Sequence, residues 1–483
     1  MKLKELLREI PVIAMTADPE TEIRNVRYDS RAVEPGDLFV AVPGFKADGH
    51  RFIPMVREKG AAAVLCSRKP DGVEIPYILV DDSRRGLALV SAAYFGHPAQ
   101  KLKMIGVTGT DGKTTSTMLM KQMLEDCLQE KIGLIGTIAN WIGDVECPTE
   151  RTTPESYEIQ KLLSRMVEAG CTHCLMEVSS HALALDRVAG MEFEAGVFTN
   201  LTQDHLDFHE TMENYAQAKS GLFSICRRGA INVDDPWSDY MLTRAKCPVV
   251  RYSGKGKDAE LTAENVVLSA DGVAFTARWK NEAADVKLAI PGAFSVENAL
   301  TVLAVGLMLD VPLARAAEAL GRCTGVKGRV EVIPTPGDYT MIIDYAHTPD
   351  ALEKVLQTMR TASRGRLVVL FGCGGDRDET KRPIMGRIAA ENADLAIVTN
   401  DNPRTEDPEA IIADIVAGMP EGAPVKVIPD RRKAIAWAME NHEPGDVIVL
   451  AGKGHETYQE IHGVKYPMDE REIVAEYIQR NGR

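Results

Sequence analysis

The sequence predicts an α/β protein of three domains, with a central P-loop-type, mostly parallel sheet carrying helices and a C-terminal Rossmann-like, doubly wound sheet. Three observations predict it. Apolar runs of strand type alternate with helix-like stretches along most of the chain, the pattern of βαβ units. At 483 residues the chain exceeds one hydrophobic core, given roughly 150 residues per domain. The stretch GVTGTDGKTT, Gly106 to Thr115, follows an apolar run with glycines and then Lys-Thr.

The elements follow in order. Residues 1–100 contain VRYDSRAVEPGDLFVAVPG and AAAVLC, short strands separated by turn residues, whose pattern alone assigns no role. Residues 101–330 begin at LKMIGV and carry the glycine-rich loop, a helical run from Thr114 to about Leu128, the strands CLMEVS and GVFTNL, and the helix NALTVLAVGLMLD. Between Pro248 and Pro291 the pattern turns to alternating β-type segments. Residues 331–483 repeat strand-like runs in TMIIDYA, RLVVLFGC, LAIVTND, VKVIPD and DVIVLAG, a sheet of about five strands with a helix-like stretch after each of the first four. Hinges are expected near Lys101 and Gly328.

Composition excludes several classes. With 56 Lys+Arg against 70 Asp+Glu the net charge is -14, which repels a nucleic-acid backbone. No segment approaches the ~20 apolar residues of a membrane span, and Glu5, Arg8 and Glu9 interrupt the opening MKLKELLREI before a signal-type apolar core develops. A soluble, cytoplasmic protein is expected. Nine scattered cysteines read as reduced thiols. The single C-x-x-C, Cys171 to Cys174, has no second pair to complete a zinc site and is expected to hold semi-buried strand residues.

In the loop, Gly106, Gly109 and Gly112 let backbone N–H groups turn toward an anion, and the following helix adds its positive dipole end. Lys113 is placed to meet β/γ-phosphates, and Thr114 to offer a hydroxyl to Mg²⁺. Val107 stands where the strict P-loop pattern has its first glycine, so a plain strand-to-helix turn is the alternative. The chain has no N-K-x-D motif for guanine, which favours ATP. Three further polar stretches, MEVSSHALALDR, NLTQDHLDFH and NYAQAKSGLF, lie at or beyond strand ends. Carboxyl ends of parallel strands share one crevice, so Glu177, Asp204 and His205 are placed to converge on the loop as hard ligands for Mg²⁺. Taken singly, Glu177 reads as a strand-end salt bridge, His205 as a helix cap and Lys219 as a solvated lysine. His205 and His209 have zinc-ligand spacing, but Leu206 stands where a zincin places Glu.

GTDGKTT, MEVSSHAL, TNLTQDHLDFH, YAQAKSGLF, DYAHTPDAL and GCGGDRD, in this order and over essentially the whole chain, resemble the Mur ligase family. DSRAVEPGDLFVAVPG, DNPR and AGKGHE resemble, within it, the ligases that add the third peptide residue to the bacterial cell-wall precursor. The resemblance implies three domains that bind in turn the UDP end of the precursor, ATP and the incoming amino acid. It implies a reaction in which the D-glutamyl carboxylate of UDP-N-acetylmuramoyl-L-alanyl-D-glutamate becomes an acyl phosphate and is attacked by an amine, and a monomer acting on small molecules. By the same resemblance Gly109, Thr110, Asp111, Gly112, Lys113, Thr114 and Thr115 hold the ATP phosphates, Asn298 meets the base, and Arg329, Asp344 and His347 complete the nucleotide site. Thr114 and Glu177 hold one Mg²⁺, and His205 with a carbamylated Lys219 (N6-carboxylysine) holds a second. Precursor contacts fall on Tyr28, Ser30, Phe45, Lys46, Ala47, Thr152, Thr153, Ser179 and Arg187. Leu185 replaces a Gln that some relatives use. The alternative for Asn298 is a helix cap.

The acceptor is argued from DNPRTEDP. Pro403 fixes its own φ and biases Asn402 toward an extended backbone, so Arg404 is presented at small ordering cost. A guanidinium pairs bidentately with a carboxylate, which suits the distal end of meso-diaminopimelate and would be left unpaired by lysine. Arg377, Asp401, Gly452 and Glu456 complete the pocket, with Glu456 facing an ammonium. The alternative for Arg404 is a turn residue bridged to Glu406 or Asp407. Rival functions are a lysine-adding sister ligase, a folylpolyglutamate-synthase-like ligase, and an ATP-binding regulator.

Overall fold

The computed structural model describes residues 1–44, 47–149, 151–269 and 272–481. The chain divides into two compact units, one of Met1–Ser253, Lys257–Leu261 and Thr301–Val311, the other of Gly254–Gly256, Thr262–Leu300 and Pro312–Arg483.

The first unit opens with a five-stranded sheet in the order Ala14–Met15, Tyr77–Leu79, Ala63–Cys66, Leu38–Ala41, Val26–Arg27. Only Ala14–Met15 runs antiparallel to its neighbour. The strand Leu38–Ala41 is buried throughout because its alternate residues serve two cores. Leu38 and Val40 pack with Leu87 and Val90 of the helix Ser83–Tyr94, while Phe39 and Ala41 pack with Ile53 and Val56 of the helix Ile53–Glu58. Asp82 starts the longer helix by accepting from the Arg84 and Arg85 N–H groups at 2.7 and 3.3 Å.

The second sheet of this unit is the one that positions chemistry. Its parallel strands run Val249–Ser253, Cys226–Asn232, Phe193–Phe198, Lys103–Thr108, His173–Glu177, Ile132–Ile135, followed by the antiparallel pieces Asn140–Ile142 and Val145–Cys147. Lys103–Thr108 lies between two strands that come later in the chain, so the strand order reverses there and a crevice opens at its carboxyl end. Register puts Glu177 beside Val107, and Phe198 beside Thr108. The helix Lys113–Leu128 follows directly, one residue ahead of the expected start. Cys174 is fully buried inside the strand His173–Glu177 and Cys171 is buried just before it.

In the second unit, Gly272–Trp279 and Glu282–Leu288 form an antiparallel hairpin covered by the helix Leu313–Gly321. The C-terminal sheet has six strands where the sequence shows about five, in the order Glu331–Ile333, Tyr339–Asp344, Asp446–Ala451, Leu367–Phe371, Leu395–Val398, Val425–Val427. The extra strand is Glu331–Ile333, a short antiparallel edge. A hairpin of Tyr458–Ile461 and Val464–Pro467 is not foreseen from the sequence, because its mixed polar residues carry little strand signal. One face of the sheet buries Met341, Ile343, Leu370 and Leu450 against Ile435, Met439 and Val474. Alternation turns Ile342, Val369 and Phe371 to the other face, where the helices Pro349–Ala362 and Lys381–Asn392 pack. No helix among the described residues is long and apolar enough to cross a membrane.

Beneath this sheet Arg431 and Glu470 form an ion pair at 2.8 Å with both side chains fully buried. Arg431 also donates to the Ala451 carbonyl at 2.8 Å, tying the strand end to the pair. Burial pushes the Glu470 carboxyl up, opposed by Arg431. Replacing one partner leaves the other group buried without compensation, so Arg431→Met should cost on the order of 3–5 kcal/mol in urea unfolding. Arg431→Met combined with Glu470→Leu should recover most of that loss.

Candidate active site

The glycine loop is shaped by close approach as much as by backbone freedom. Gly109 has φ 153°, and a Cβ there would lie 1.9 Å from Thr199 Oγ1. Gly112 caps the helix Lys113–Leu128 at φ 80°, a left-handed position that favours glycine. The loop is braced by the neighbouring strand end: Thr110 and Asp111 donate their N–H groups to the Asn200 carbonyl (2.9 Å) and side-chain oxygen (2.8 Å), and Thr199 Oγ1 donates to the Asp111 carbonyl at 2.7 Å. Lys113 Nζ folds over the loop, donating to the carbonyls of Gly109 (2.9 Å) and Thr110 (2.8 Å). Thr115 is buried in the first turn of the helix.

Thr114 Oγ1 donates to Glu177 Oε2 at 2.9 Å. The Glu177 side chain is buried and also accepts from Thr137, N–H to Oε1 and hydroxyl to Oε2, each at 2.9 Å. A Cβ on Gly136 would lie 2.4 Å from Glu177 Oε1, so that glycine is what makes room for the carboxylate. Glu177 is therefore held by hydroxyls and an amide rather than by a strand-end ion pair. A hydroxyl and a buried carboxylate are hard oxygen donors in a cradle, and they fit Mg²⁺ with ligands from phosphate and water.

Lys219 is fully buried on the helix Met212–Ser220, not solvated, and its Nζ donates to the Gly109 carbonyl at 2.6 Å. Burial lowers its pKa well below the ordinary lysine value, and the nearby Lys113 lowers it further. Its Nζ sits 4.5 Å over the Tyr215 ring, which His205 meets edge-on with centroids 6.2 Å apart. His205 stands at the N-cap position of the helix Leu206–His209, with φ 53° and no side-chain cap bond, and its ring pairs with Asp204 at 3.3 Å. Asp204 and His205 thus meet each other, and Glu177 meets Thr114. Among the described residues no group of three or more His, Cys, Asp or Glu gathers to hold a metal.

Of the residues expected to meet the precursor, Thr152, Thr153, Ser179 and Arg187 adjoin this cluster. The Thr152 hydroxyl is 3.0 Å from that of Thr137, the residue bonded to Glu177. Thr153 Oγ1 donates to the Glu177 carbonyl at 2.7 Å and accepts from Ser179 N–H at 3.0 Å. Arg187 donates to the Thr153 carbonyl at 2.9 Å and pairs with Glu155 at 2.6 Å. Ser179 caps the helix Ser180–Ala184, after which Leu185 presents only an apolar side chain. Tyr28 donates to Glu158 at 2.9 Å, Ser30 is buried, and the Ala47 carbonyl accepts from Gly44 N–H at 3.1 Å. Phe45 and Lys46 lie outside the described residues.

In the second unit, Asn298 is buried within the helix Phe294–Met308, so it is not a helix cap. Asp344 ends its strand and accepts from Val330 and Ala346 N–H groups, both at 2.8 Å. Burial raises its carboxyl, with Arg329 acting against it. The Arg329 guanidinium lies 5.2 Å over the Tyr345 ring. His347 Nδ1 donates to the Tyr345 carbonyl at 2.9 Å, and burial holds the ring below its ordinary pKa.

At the carboxyl ends of the C-terminal strands, Arg404 sits just past Pro403 with φ 51°. It donates to Glu460 at 3.1 Å and to the Gly375 carbonyl at 2.7 Å. It is not bridged to Glu406, which is gripped by the buried Arg382 at 2.7 and 2.9 Å. Asn402 donates to Glu456 at 2.9 Å, and a Cβ on Gly452 would lie 2.9 Å from Asp401 Oδ2. Arg377 donates to the Asp376 carbonyl at 3.3 Å. Sequence reasoning missed Gly136, Thr137, Asn200, Lys453 and Glu460. Lys453 alone left a visible trace, a lysine between two glycines at a strand end.

A phosphate-type loop at a strand-order reversal, followed by a second doubly wound sheet with polar loops on one edge, defines a three-domain α/β protein of the nucleotide-loop class. Family models match consecutively: "Mur ligase family, catalytic domain" over residues 22–109, "Mur ligase middle domain" over 107–306 and "Mur ligase, glutamate ligase domain" over 328–454. The chain belongs to the Mur ligase family. It is 46% identical over 481 residues to UDP-N-acetylmuramoyl-L-alanyl-D-glutamate--2,6-diaminopimelate ligase 1 of Clostridium acetobutylicum, covering 99% of both chains. It is 44% identical over 484 residues to the similarly named ligase of Clostridium botulinum, again covering 99% of each. A solved structure of a UDP-N-acetylmuramoyl-L-alanyl-D-glutamate--2,6-diaminopimelate ligase matches with TM-score 0.76 at 32% identity, over 100% of this chain and 99% of that one.

Proposed function

We propose that this chain is an ATP-dependent amide ligase that joins meso-2,6-diaminopimelate to the D-glutamyl carboxylate of UDP-N-acetylmuramoyl-L-alanyl-D-glutamate, in the synthesis of peptidoglycan precursor. The full-length likeness to relatives of that name supports it. The observation that carries the acceptor is the joining, through Asn402 and Glu460, of one guanidinium, Arg404, to one carboxylate, Glu456. Such a pair matches a side chain ending in both carboxylate and ammonium, and lysine would bring no acceptor for the guanidinium N–H groups not given to Glu460 and Gly375. On this reading residues 1–100 bind the UDP end, 101–330 bind ATP and 331–483 bind the amino acid, and the protein works as a cytoplasmic monomer.

A carboxylate resists attack because its leaving group would be oxide. One of its oxygens therefore attacks the γ-phosphorus, the bond to the ADP oxygen breaks, and an acyl phosphate forms. The amine then adds to the carbonyl carbon, and the tetrahedral adduct expels phosphate as the amine loses a proton. Lys113, anchored on two loop carbonyls, is placed to swing onto the phosphate oxygens and offset their charge. The loop N–H groups and the dipole of the helix Lys113–Leu128 act in the same direction. Thr152, Thr153, Ser179 and Arg187 orient the precursor next to Glu177. Asn298, Arg329, Asp344 and His347 hold the nucleoside and phosphates.

Mg²⁺ held by Thr114 and Glu177, with a second held by His205 and a carbamylated Lys219, would supply charge neutralisation on the phosphates. The buried amine of Lys219 suits carbamylation, since the neutral form adds to CO₂ and the product replaces a cation with anionic oxygens. In ¹³C-bicarbonate the protein should show one carbamate resonance that Lys219→Ala lacks, and an identical spectrum for the two would remove the modification.

With ¹⁸O in the D-glutamyl carboxylate, one label should appear in the released phosphate, and its complete retention in the peptide would refute the acyl phosphate. Arg404→Ala should lower kcat/KM for diaminopimelate by roughly 10⁴-fold, the scale on which a lost polar partner is rejected. ATP binding should be unchanged in that variant. An unaltered preference between diaminopimelate and lysine would assign the acceptor pocket elsewhere.

A further inference from the structure

Lys453 lies two residues beyond the strand Asp446–Ala451, and its side chain is completely buried. A buried ammonium persists only where acceptors compensate its lost hydration. Here its Nζ donates to Asn402 Oδ1 at 2.9 Å and to Glu456 Oε2 at 3.0 Å, with Asp401 Oδ1 at 3.9 Å. Asn402 is the hub: the same Oδ1 accepts the Glu460 N–H at 2.9 Å, and its Nδ2 donates to Glu456 Oε2 at 2.9 Å. Glu460 in turn holds Arg404 twice, through its carboxylate at 3.1 Å and through its carbonyl, which accepts the Arg404 N–H at 3.1 Å.

We infer that Lys453 is a positioning residue for acceptor recognition, fixing the Asn402 amide and the Glu456 carboxylate so that the ammonium site and the Arg404 carboxylate site keep one spacing. The inference rests on the diaminopimelate reading and adds to it a residue that contacts neither end of the ligand.

Two consequences follow from the donor count. An amide can present oxygen or nitrogen to a neighbour, and only with Oδ1 toward Lys453 and the Glu460 N–H can Nδ2 reach Glu456. Both bonds to Glu456 fall on Oε2, which leaves Oε1 as the oxygen that accepts from a substrate ammonium. A second acceptor comes from Asp401, whose Oδ1 lies 3.9 Å from the Lys453 ammonium. Asp401 Oδ2 is buried without a hydrogen-bond partner among the described residues, and the missing side chain of Gly452 keeps its approach open. Without Lys453 the amide oxygen keeps only the Glu460 N–H, and Glu456 loses the cation that balances it.

The test uses the full chain, with steady-state KM measured for ATP, the UDP-linked dipeptide and diaminopimelate in wild type, Lys453→Met, Glu456→Gln and the double variant. Lys453→Met should raise KM for diaminopimelate about 10²-fold, the scale of an ångström-level misplacement, while KM for the other two substrates stays within about threefold of wild type, too small a change to signal misplacement there. The double variant should raise KM for diaminopimelate by less than the product of the two single effects, because both changes act on the one network of Lys453, Asn402 and Glu456. An unchanged KM for diaminopimelate, a parallel rise in all three constants, or additive effects in the double variant would each overturn the role. Should Lys453→Met fail to fold, Lys453→Gln, neutral but still a donor, takes its place in the same measurements, and the same outcomes support or overturn the role. If the wild type uses another amino acid instead, the diaminopimelate reading fails by itself, and KM for that amino acid decides the role of Lys453.

Discussion

The carbonyl oxygen of Gly109 takes hydrogen bonds from two lysine side chains, Lys113 at 2.9 Å and Lys219 at 2.6 Å. Two full ammonium charges on one oxygen would repel by a few kcal/mol even at an effective dielectric of ~20. The structure relieves this by burial, which drives Lys219 toward its neutral form. Lys113 folds over the loop from the helix start, whereas Lys219 is held buried behind it with its pKa driven well down. The arrangement requires Gly109 to lie against Thr199 with no side chain between them, so one close contact sets the path of the loop that presents this carbonyl.

The same logic governs the C-terminal sheet, where parallel strands deliver loops to one edge and side chains then tie loops from different strands together. Asn402 follows the strand Leu395–Val398, whereas Lys453 and Glu456 follow Asp446–Ala451. Lys453 and Glu456 already bond within their own loop, and Asn402 ties both to the neighbouring one. Their crossed hydrogen bonds hold these side chains at set distances, and the Arg431–Glu470 pair anchors the strand end behind them through the Ala451 carbonyl. Rigid spacing of charged groups is what discriminates between ligands that differ by one carboxylate.

How much of this was legible follows from which interactions are local. The loop, its helix and the doubly wound sheet were legible because glycine spacing and strand-helix alternation are patterns along the chain. Tyr458–Ile461 was not, since a strand of Tyr, Gln, Glu and Ile has no apolar rhythm. The residues missed at the site are partners from distant segments. Thr137 reaches Glu177 across 40 positions and Glu460 reaches Arg404 across 56, and nothing in either neighbourhood announces the other. The turn reading of Arg404 named Glu406 or Asp407 because they are near in sequence, but Arg382, from a separate helix, holds the first carboxylate and the second caps the helix Pro408–Ala417. Likewise the expected meeting of Glu177 with Asp204 and His205 rested on shared strand ends, whereas the side chains choose nearer partners, Thr114 and each other.

One residue choice shows how narrow these solutions are. At position 402 the chain needs a single short side chain that accepts from Lys453 and from a backbone N–H while donating to Glu456. Aspartate would bring two carboxylates to 2.9 Å with one lysine to balance them, forcing one to protonate or turn away. Serine would be too short to span both partners, and glutamine would carry an extra rotatable bond into a site whose value is fixed geometry. Position 401 has the opposite requirement: its Oδ1 takes the Asn402 N–H while Oδ2 has no hydrogen-bond partner among the described residues, two acceptor oxygens that a carboxylate supplies. Asp-Asn in that order is therefore the pair whose donors and acceptors close this network and still leave oxygens for a cationic ligand.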